Sequence, residues 1–118
     1  MRIAIIGPGA MPIPPTGWGA VEILIHDLRC ELEAAGHTVE VINTPKKHDI
    51  IRQTNASQFD FVHVQYDDHV DVIPHLNCKN IGITSHYAYL EQPNKWGGYA
   101  GIAQAFLIAD EFIKDRPV

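Results

Sequence analysis

Residues 3–22 read IAIIGPGAMPIPPTGWGAVE, and this stretch decides the fold. It opens as a short apolar run, continues as a loop rich in glycine and proline, and ends where a long helical pattern begins. Small residues at the mouth of a helix leave backbone N–H groups and the positive end of the helix dipole accessible to a phosphate or sugar oxygen. The stretch therefore predicts a strand, a ligand-binding loop and a helix, in that order.

Size and composition limit the classes of protein to which the chain could belong. A chain of 118 residues, 46% of them hydrophobic, is long enough to bury one core, and no run approaches the roughly 20 apolar residues of a membrane span. The net charge of −5 opposes binding to nucleic acid. Met1 leads directly into a strand without the pattern of a secretory signal. We therefore expect a single soluble, cytoplasmic domain that does not bind nucleic acid.

Four nearly continuous apolar runs predict strands buried on both faces of a parallel sheet. They span residues 3–7, 39–42, 59–64 and 80–84, and residues 111–113 could begin a fifth strand. Helical patterns cover residues 20–35, 48–56 and 99–109, whereas Pro74 limits residues 71–76 to a turn or two. The alternation of strands and helices predicts an α/β fold with a doubly wound, Rossmann-like parallel sheet in three αβα layers, of strand order 2-1-3-4-5.

This strand order also predicts where a ligand binds. The order reverses beside strand 1, so a ligand should meet the carboxyl ends of strands 1 and 3, with strand 4 adjacent. The loop that follows strand 1 and residues 63–68 and 85–89 all fall at that edge.

Two common nucleotide motifs are incomplete in the glycine loop. The dinucleotide motif needs a third glycine where this chain has Pro12, and an acidic residue where strand 2 ends in Asn43. No Gly-Lys-Ser/Thr occurs, so the phosphate-binding loop of nucleotidases is also disfavoured.

Metal and redox chemistry are disfavoured as well. Asp67, Asp68, His69 and Asp71 have the residue types of a metal site, but charged side chains solvated on a loop are the favoured interpretation, so no metal site is predicted. The two cysteines lack CxxC spacing and predict reduced structural thiols.

Five segments in order resemble the amino-terminal domain of the retaining GT-B glycosyltransferases, in particular glycosyltransferase family 4. They are PPTGWGAVE at 14–22, GHTVEV at 36–41, FDFVHVQ at 59–65, ITSH at 83–86 and ADEFI at 109–113. The chain departs from the family pattern at Ala20, where a second glycine is usual, and at Gln65, which replaces the second histidine of a His-x-His strand end.

The resemblance implies a set of site residues. His86 would be the catalytic residue that orients the reacting sugar, and His63 would either contact substrate or support the loop as scaffold. No metal or cofactor is implied beyond a nucleotide-diphosphate sugar as donor substrate. The loop near the donor phosphate would comprise Gly17, Trp18, Gly19, Ala20 and Glu22, and the acceptor side would comprise His63, Gln65, Tyr87 and Tyr89.

The resemblance also implies a missing partner domain. Residues 1–118 would form one Rossmann-like domain, the amino-terminal half of a two-domain hexosyltransferase whose carboxyl-terminal domain holds the donor. The isolated chain would bind a glycan or lipid acceptor but would be inactive, and its unfinished sheet edge would favour self-association. Membrane association stays open, although this acidic chain shows no basic amphipathic helix. Two alternatives also stay open: a free-standing α/β ligand-binding or protein-interaction module, and a nucleotide-dependent enzyme of another kind.

Overall fold

A computed structural model describes residues 1–86, which form a parallel β-sheet with helices on both faces. The strands are β1 (Arg2–Ile6), β2 (Thr38–Ile42), β3 (Phe61–Val64) and β4 (Ile81–Ile83), in the spatial order β2-β1-β3-β4. Each neighbouring pair is parallel. The predicted Rossmann-like sheet and its order 2-1-3-4 are therefore confirmed. The predicted fifth strand at 111–113 and helix at 99–109 lie outside the described residues.

Two α-helices and one 3-10 helix connect the strands. They are α1 (Ala20–Ala34), α2 (Lys47–Asn55) and a 3-10 helix (Asp67–His75). The chain leaves α1 through Gly36, whose φ of 97° is a left-handed conformation that glycine adopts without strain. The amide of His37 then donates to the carbonyl oxygen of Leu32 at 3.0 Å, which closes the helix. No helix within residues 1–86 is long and apolar enough to cross a membrane.

The strands bury opposite faces in two separate cores, because successive side chains of a strand point in opposite directions. Ile3 and Ile5 pack against Ile25 of α1 on one face of the sheet. The other face carries a larger cluster to which β1, β2, β3, α2 and the 3-10 helix contribute: Ala4, Ile6, Ile42, Ile50, Val62, Val64, Val72 and Leu76. The sheet is thus the middle of three layers, as the αβα prediction required.

One prediction was wrong in extent. The 3-10 helix runs from Asp67 to His75, instead of covering only a turn or two from residue 71. Val70 and Val72 are buried, so apolar packing stabilises this helix. The sequence pattern did not indicate its length, because the segment also contains polar residues and a proline. Pro74 lies at the penultimate position of this helix, so the interruption that proline causes falls where the helix ends.

Candidate functional site

The carboxyl ends of β1, β3 and β4 lie at one edge of the sheet because these strands are parallel neighbours. The loop 7–19 leaves β1 at this edge, and residues 65–66 and 84–86 leave β3 and β4. The edge predicted from the strand order therefore brings together the glycine loop and the chemically active residues after β3 and β4.

Four polar side chains at this edge form a continuous chain of hydrogen bonds. Nε2 of His63 lies 2.6 Å from Oγ1 of Thr84. Nε2 of Gln65 lies 3.3 Å from both ring nitrogens of His63, and Oε1 of Gln65 lies 2.7 Å from Nε2 of His86. Gln65 is only 5% exposed, so it is a buried bridge between the two histidines.

Gln65 fixes the direction of the hydrogen bonds. Its Oε1 only accepts, so Nε2–H of His86 is the donor in that contact. Its amide nitrogen donates and lies equally far from both ring nitrogens of His63, so one of them accepts; we assign Nδ1 as this acceptor and Nε2–H as the donor to Thr84. We assign these protons from the donors and acceptors present. The assignment leaves Nδ1 as the ring nitrogen of His86 that takes no part in this chain of hydrogen bonds.

Burial keeps His63 neutral. Loss of solvation lowers the pKa of its imidazole below the ordinary value, and the nearby His86 lowers this pKa further. A neutral His63 is what the hydrogen-bond chain requires, since its Nδ1 must accept. His63 thus contacts Thr84 and Gln65 at this edge, and its predicted role, as scaffold or in substrate contact, stays a prediction.

The second part of the candidate site is the open amino terminus of α1. Within the described residues no side chain caps this end, and Gly19 holds the cap position. The hydrogen bonds of α1 begin at Ile23, whose amide donates to the carbonyl oxygen of Gly19 at 2.9 Å. The amides of the first turn are therefore left for solvent or a ligand. Among residues 1–86, no atom lies within 4 Å of the position that a Cβ on Gly17 would take, and Trp18 is 83% exposed.

Glu22 also lies at the mouth of α1. It occupies the third position of the helix, and its side chain folds back toward the cap residue. Its Oε2 comes within 3.3 Å of the position that a Cβ on Gly19 would take, and the residue is only 4% exposed. A carboxylate here stabilises the helix dipole but repels a phosphate. The carboxylate of Glu22 thus lies buried beside the free amides of this helix end.

By contrast, the backbone amides of Gly7 and Gly9 are already occupied by protein acceptors, and we call residues 7–9 the closed segment. The amide of Gly7 donates to the carbonyl oxygen of Ile42 at 2.9 Å, and that of Gly9 donates to Oδ1 of Asn43 at 2.8 Å. Nδ2 of Asn43 donates in turn to the carbonyl oxygen of Met11 at 2.7 Å. The expectation that the whole glycine loop binds an anion is thus too broad, because the amides of Gly7 and Gly9 already have protein partners.

The loop charges after β3 are partly buried, which corrects the expectation that they are all solvated. Asp67 is 5% exposed and His69 is 4% exposed. Nε2–H of His69 donates to the carbonyl oxygen of Pro8 at 3.0 Å and so ties the 3-10 helix to the glycine loop. The carboxylates of Asp68 and Asp71 are exposed. Lys47 donates to the carbonyl oxygen of Asp68 and to the carboxylate of Asp71. Within residues 1–86 no group of three or more His, Cys, Asp or Glu could hold a metal ion.

Tyr87 and Tyr89 lie outside the described residues, so their predicted acceptor-side role stays a prediction. The sequence reasoning did not anticipate three supporting residues, Thr84, Asn43 and His69. Thr84 directly follows β4 in the predicted binding edge, a position from which a role could have been inferred. Asn43 and His69 contact residues 34 and 61 positions away, and no local pattern indicates such contacts.

Comparison with solved structures identifies a chain of the same fold. The chain is similar to the crystal structure of AviGT4, a glycosyltransferase involved in avilamycin A biosynthesis, with a TM-score of 0.62 and 17% identity over 73% of this chain. The match covers 32% of AviGT4, so the present chain spans about a third of that protein. No protein-family model and no curated protein sequence matches the chain. What the comparison shows is a fold shared with part of a glycosyltransferase.

Proposed function

We propose that this chain is the acceptor-binding amino-terminal domain of a retaining GT-B glycosyltransferase similar to family 4. It would serve transfer of a hexose from a nucleotide-sugar donor to a glycan or lipid acceptor in the cytoplasm. One observation carries the proposal: the chain His63–Gln65–His86 lies at the same sheet edge as the uncapped amino terminus of α1. The shared fold with AviGT4 supports it.

In this proposal the mouth of α1 contacts the donor diphosphate. The amides near Gly19 and Ala20 are free of helical partners, and Gly17 leaves open space for the approach of phosphate oxygens. As the diphosphate leaves, negative charge grows on its oxygens, and fixed N–H dipoles stabilise that charge without reorganisation. Glu22 would accept a sugar hydroxyl, because a carboxylate cannot favour a phosphate at the same position.

His86 orients the reacting sugar. Gln65 holds Nε2–H of His86 at 2.7 Å, and Nδ1 is then an acceptor for a sugar or acceptor hydroxyl. A retaining transfer passes through an oxocarbenium-like state, in which placement of the reacting groups supplies much of the rate. Tyr87 and Tyr89 are proposed to line the acceptor side next to this histidine.

A separate carboxyl-terminal domain would supply most of the donor site. The chain spans about a third of AviGT4, and we propose that by itself it cannot transfer sugar. No metal or cofactor enters the proposal, since backbone amides take the role of charge stabilisation. Self-association and contact with a membrane surface are further properties of the proposal.

Titration of the isotope-labelled 118-residue chain followed by NMR tests the proposal. UDP-glucose and GDP-mannose should shift the amides of residues 17–20, and glucose alone should shift the ring signals of His86. Glucose should also shift the backbone amides of residues 84–86, and His86→Ala should remove this amide response while the response of the α1 mouth is kept. His75→Ala is the matched control, because His75 is exposed and lies outside the site. Responses confined to residues 7–9, or none at the α1 mouth, would contradict the proposal.

A free-standing binding module is the second candidate, and the exposure of Trp18 favours it. An indole that is 83% exposed offers a flat surface for a sugar ring or a partner protein. Loss of glycan binding in Trp18→Ala, together with an unchanged response of residues 17–20 to nucleotide-sugars, would favour this module over the glycosyltransferase domain.

A further inference from the structure

A second cluster of reactive side chains lies on α1, apart from the sheet edge. His26 and Cys30 are one helical turn apart, and Nε2 of His26 lies 3.7 Å from Sγ of Cys30. Residues four positions apart lie on the same face of a helix. Cys30 is exposed, whereas Ile25 of the same helix is buried against the sheet. The pair is therefore presented to solvent on the outer side of α1.

The separation of the two atoms matches the geometry of a tetrahedral metal site. Zinc binds sulfur at about 2.3 Å and imidazole nitrogen at about 2.0–2.1 Å, so two such ligands at the tetrahedral angle lie about 3.6 Å apart. The observed 3.7 Å is within about 0.2 Å of that spacing. The two atoms, which form a hydrogen bond in the metal-free chain, are thus already separated by the distance that two ligands of one ion require.

The surroundings of the pair favour a cation. Asp27 is exposed on the same helix, and the chain as a whole carries a net charge of −5. The nearest basic side chain in sequence, Arg29, donates to Glu33 at 2.8 Å, so an acidic partner offsets its charge. Electrostatic repulsion of a divalent ion at this face is therefore small.

We propose that His26 and Cys30 form half of a tetrahedral site for Zn²⁺, completed by the same two residues of a second copy of the chain. Within residues 1–86 no third ligand joins the pair, and a closed zinc site needs four. A two-fold axis through the ion supplies the same pair again, as a symmetric dimer requires. Ile23, which is 43% exposed and lies on the same face one turn before His26, adds apolar contact between the two helices.

The charge and proton balance of this site is simple. Each Cys30 thiol releases its proton to solvent and binds as thiolate, and each His26 binds through the lone pair of Nε2 while Nδ1 keeps its proton. Two thiolates and two neutral imidazoles then neutralise the two charges of the ion. Because protons compete for the same lone pairs, the dimer should lose metal as the pH falls.

Titration of the reduced 118-residue chain with Co²⁺, a spectroscopic substitute for Zn²⁺, tests the proposal. We expect a thiolate-to-cobalt charge-transfer band and tetrahedral ligand-field bands that saturate at one ion per two chains. Added Zn²⁺ should abolish these bands by displacement. Sedimentation should show a dimer with metal and a monomer after chelation.

Matched variants separate this site from other metal binding. Cys30→Ser and His26→Ala should each remove the bands and the metal-dependent dimer, whereas Cys78→Ser and His48→Ala should keep both. All four positions are exposed or half-buried, so these variants should fold. Absence of a thiolate band in the parent chain, or its loss in Cys78→Ser instead of Cys30→Ser, would overturn the site. Saturation at one ion per chain without dimer formation would overturn the shared geometry.

Discussion

Two glycine-containing segments follow β1, and they differ in how closely other parts of the chain pack against them. Residues 7–9 pack against the loop after β2, and a Cβ on Gly9 would lie 2.3 Å from backbone atoms of Thr44 and Pro45. Residues 17–19 lie at the mouth of α1, and a Cβ on Gly17 would meet nothing within 4 Å. Gly9 is thus required by packing, whereas Gly17 borders open space among the described residues. A glycine-rich loop therefore cannot be assigned to ligand binding until the neighbours of each glycine are known.

The backbone amides show the same difference. Gly7 and Gly9 donate to Ile42 and Asn43, while the first turn of α1 has no side-chain cap within residues 1–86. Asn43 occupies the place where a dinucleotide-binding fold has an acidic residue. Here its side chain fastens the loop to β2. We therefore expect substitutions at residues 7–9 and at Asn43 to change stability, and substitutions at residues 17–20 to change ligand binding.

Gly9→Ala should have the largest effect. Gly9 has a φ of 83° and backbone atoms within 2.3 Å of the new methyl position, so the loop must shift away from Thr44. We expect a loss of about 3 kcal/mol or more in the free energy of unfolding, measured by urea denaturation. Gly17→Ala is the control and should change this free energy by less than about 0.5 kcal/mol. Equal losses in the two variants would refute the distinction between the segments.

Asn43→Ala should have the next largest effect. The change removes the acceptor for Gly9 N–H and the donor to Met11 in one step. Leaving these partly buried groups unpaired should cost about 2 kcal/mol in the free energy of unfolding. Asn43→Asp keeps the acceptor and loses only the donor, so its loss should be smaller. If Asn43→Ala is as stable as the parent chain, Asn43 does not fasten the loop.

The burial of His69 should make the stability of the chain sensitive to pH. Burial is the main cause that lowers the pKa of His69, and Lys47 adds to it, while the bond to Pro8 and the carboxylates of Asp71 and Asp68 act in the opposite direction. The unfolded chain then binds more protons than the folded chain between the lowered pKa and about 6.5. Stability should fall as the pH drops through this window.

The sign of this dependence is open to direct measurement. Nδ1 of His69 is buried without a hydrogen-bond partner within residues 1–86, so a proton there would place an unpaired charge in the interior. His69→Gln should therefore flatten the dependence of the denaturation midpoint on pH between 7.5 and 5. The slope that remains should come from His63, whose pKa is also lowered by burial. His75→Gln, at an exposed position, should leave the slope unchanged.

Gly17→Ala should have the smallest effect on stability but a measurable one on binding. A methyl group at this position fills space beside the amides of α1 without touching the protein. We expect binding of inorganic pyrophosphate, followed by the amide signals of residues 17–20, to weaken about threefold, or about 0.6 kcal/mol. Unchanged affinity would place the ligand elsewhere at the sheet edge.

The sheet could be predicted from the sequence because its signals are local. Apolar runs marked β1 to β4, and the alternation with helices determined the strand order. The closed role of Gly9 could not be predicted, because it depends on Thr44 and Pro45, far along the chain. The burial of His69 also escaped prediction, since its neighbours in sequence are acidic and its partner is Pro8. Glu22 was assigned to the loop, but its folded-back position becomes visible only in three dimensions.

The bridge formed by Gln65 has a consequence for signalling between the two histidines. An amide has one donating and one accepting end, so the hydrogen bonds on its two sides are reversed together. If His63 takes a proton on Nδ1, the oxygen of Gln65 must turn toward it, and the amide nitrogen then faces His86. His86 must in that case offer the lone pair of Nε2 and carry its own proton on Nδ1. One rotation of a buried side chain thus converts Nδ1 of His86 from a hydrogen-bond acceptor into a donor.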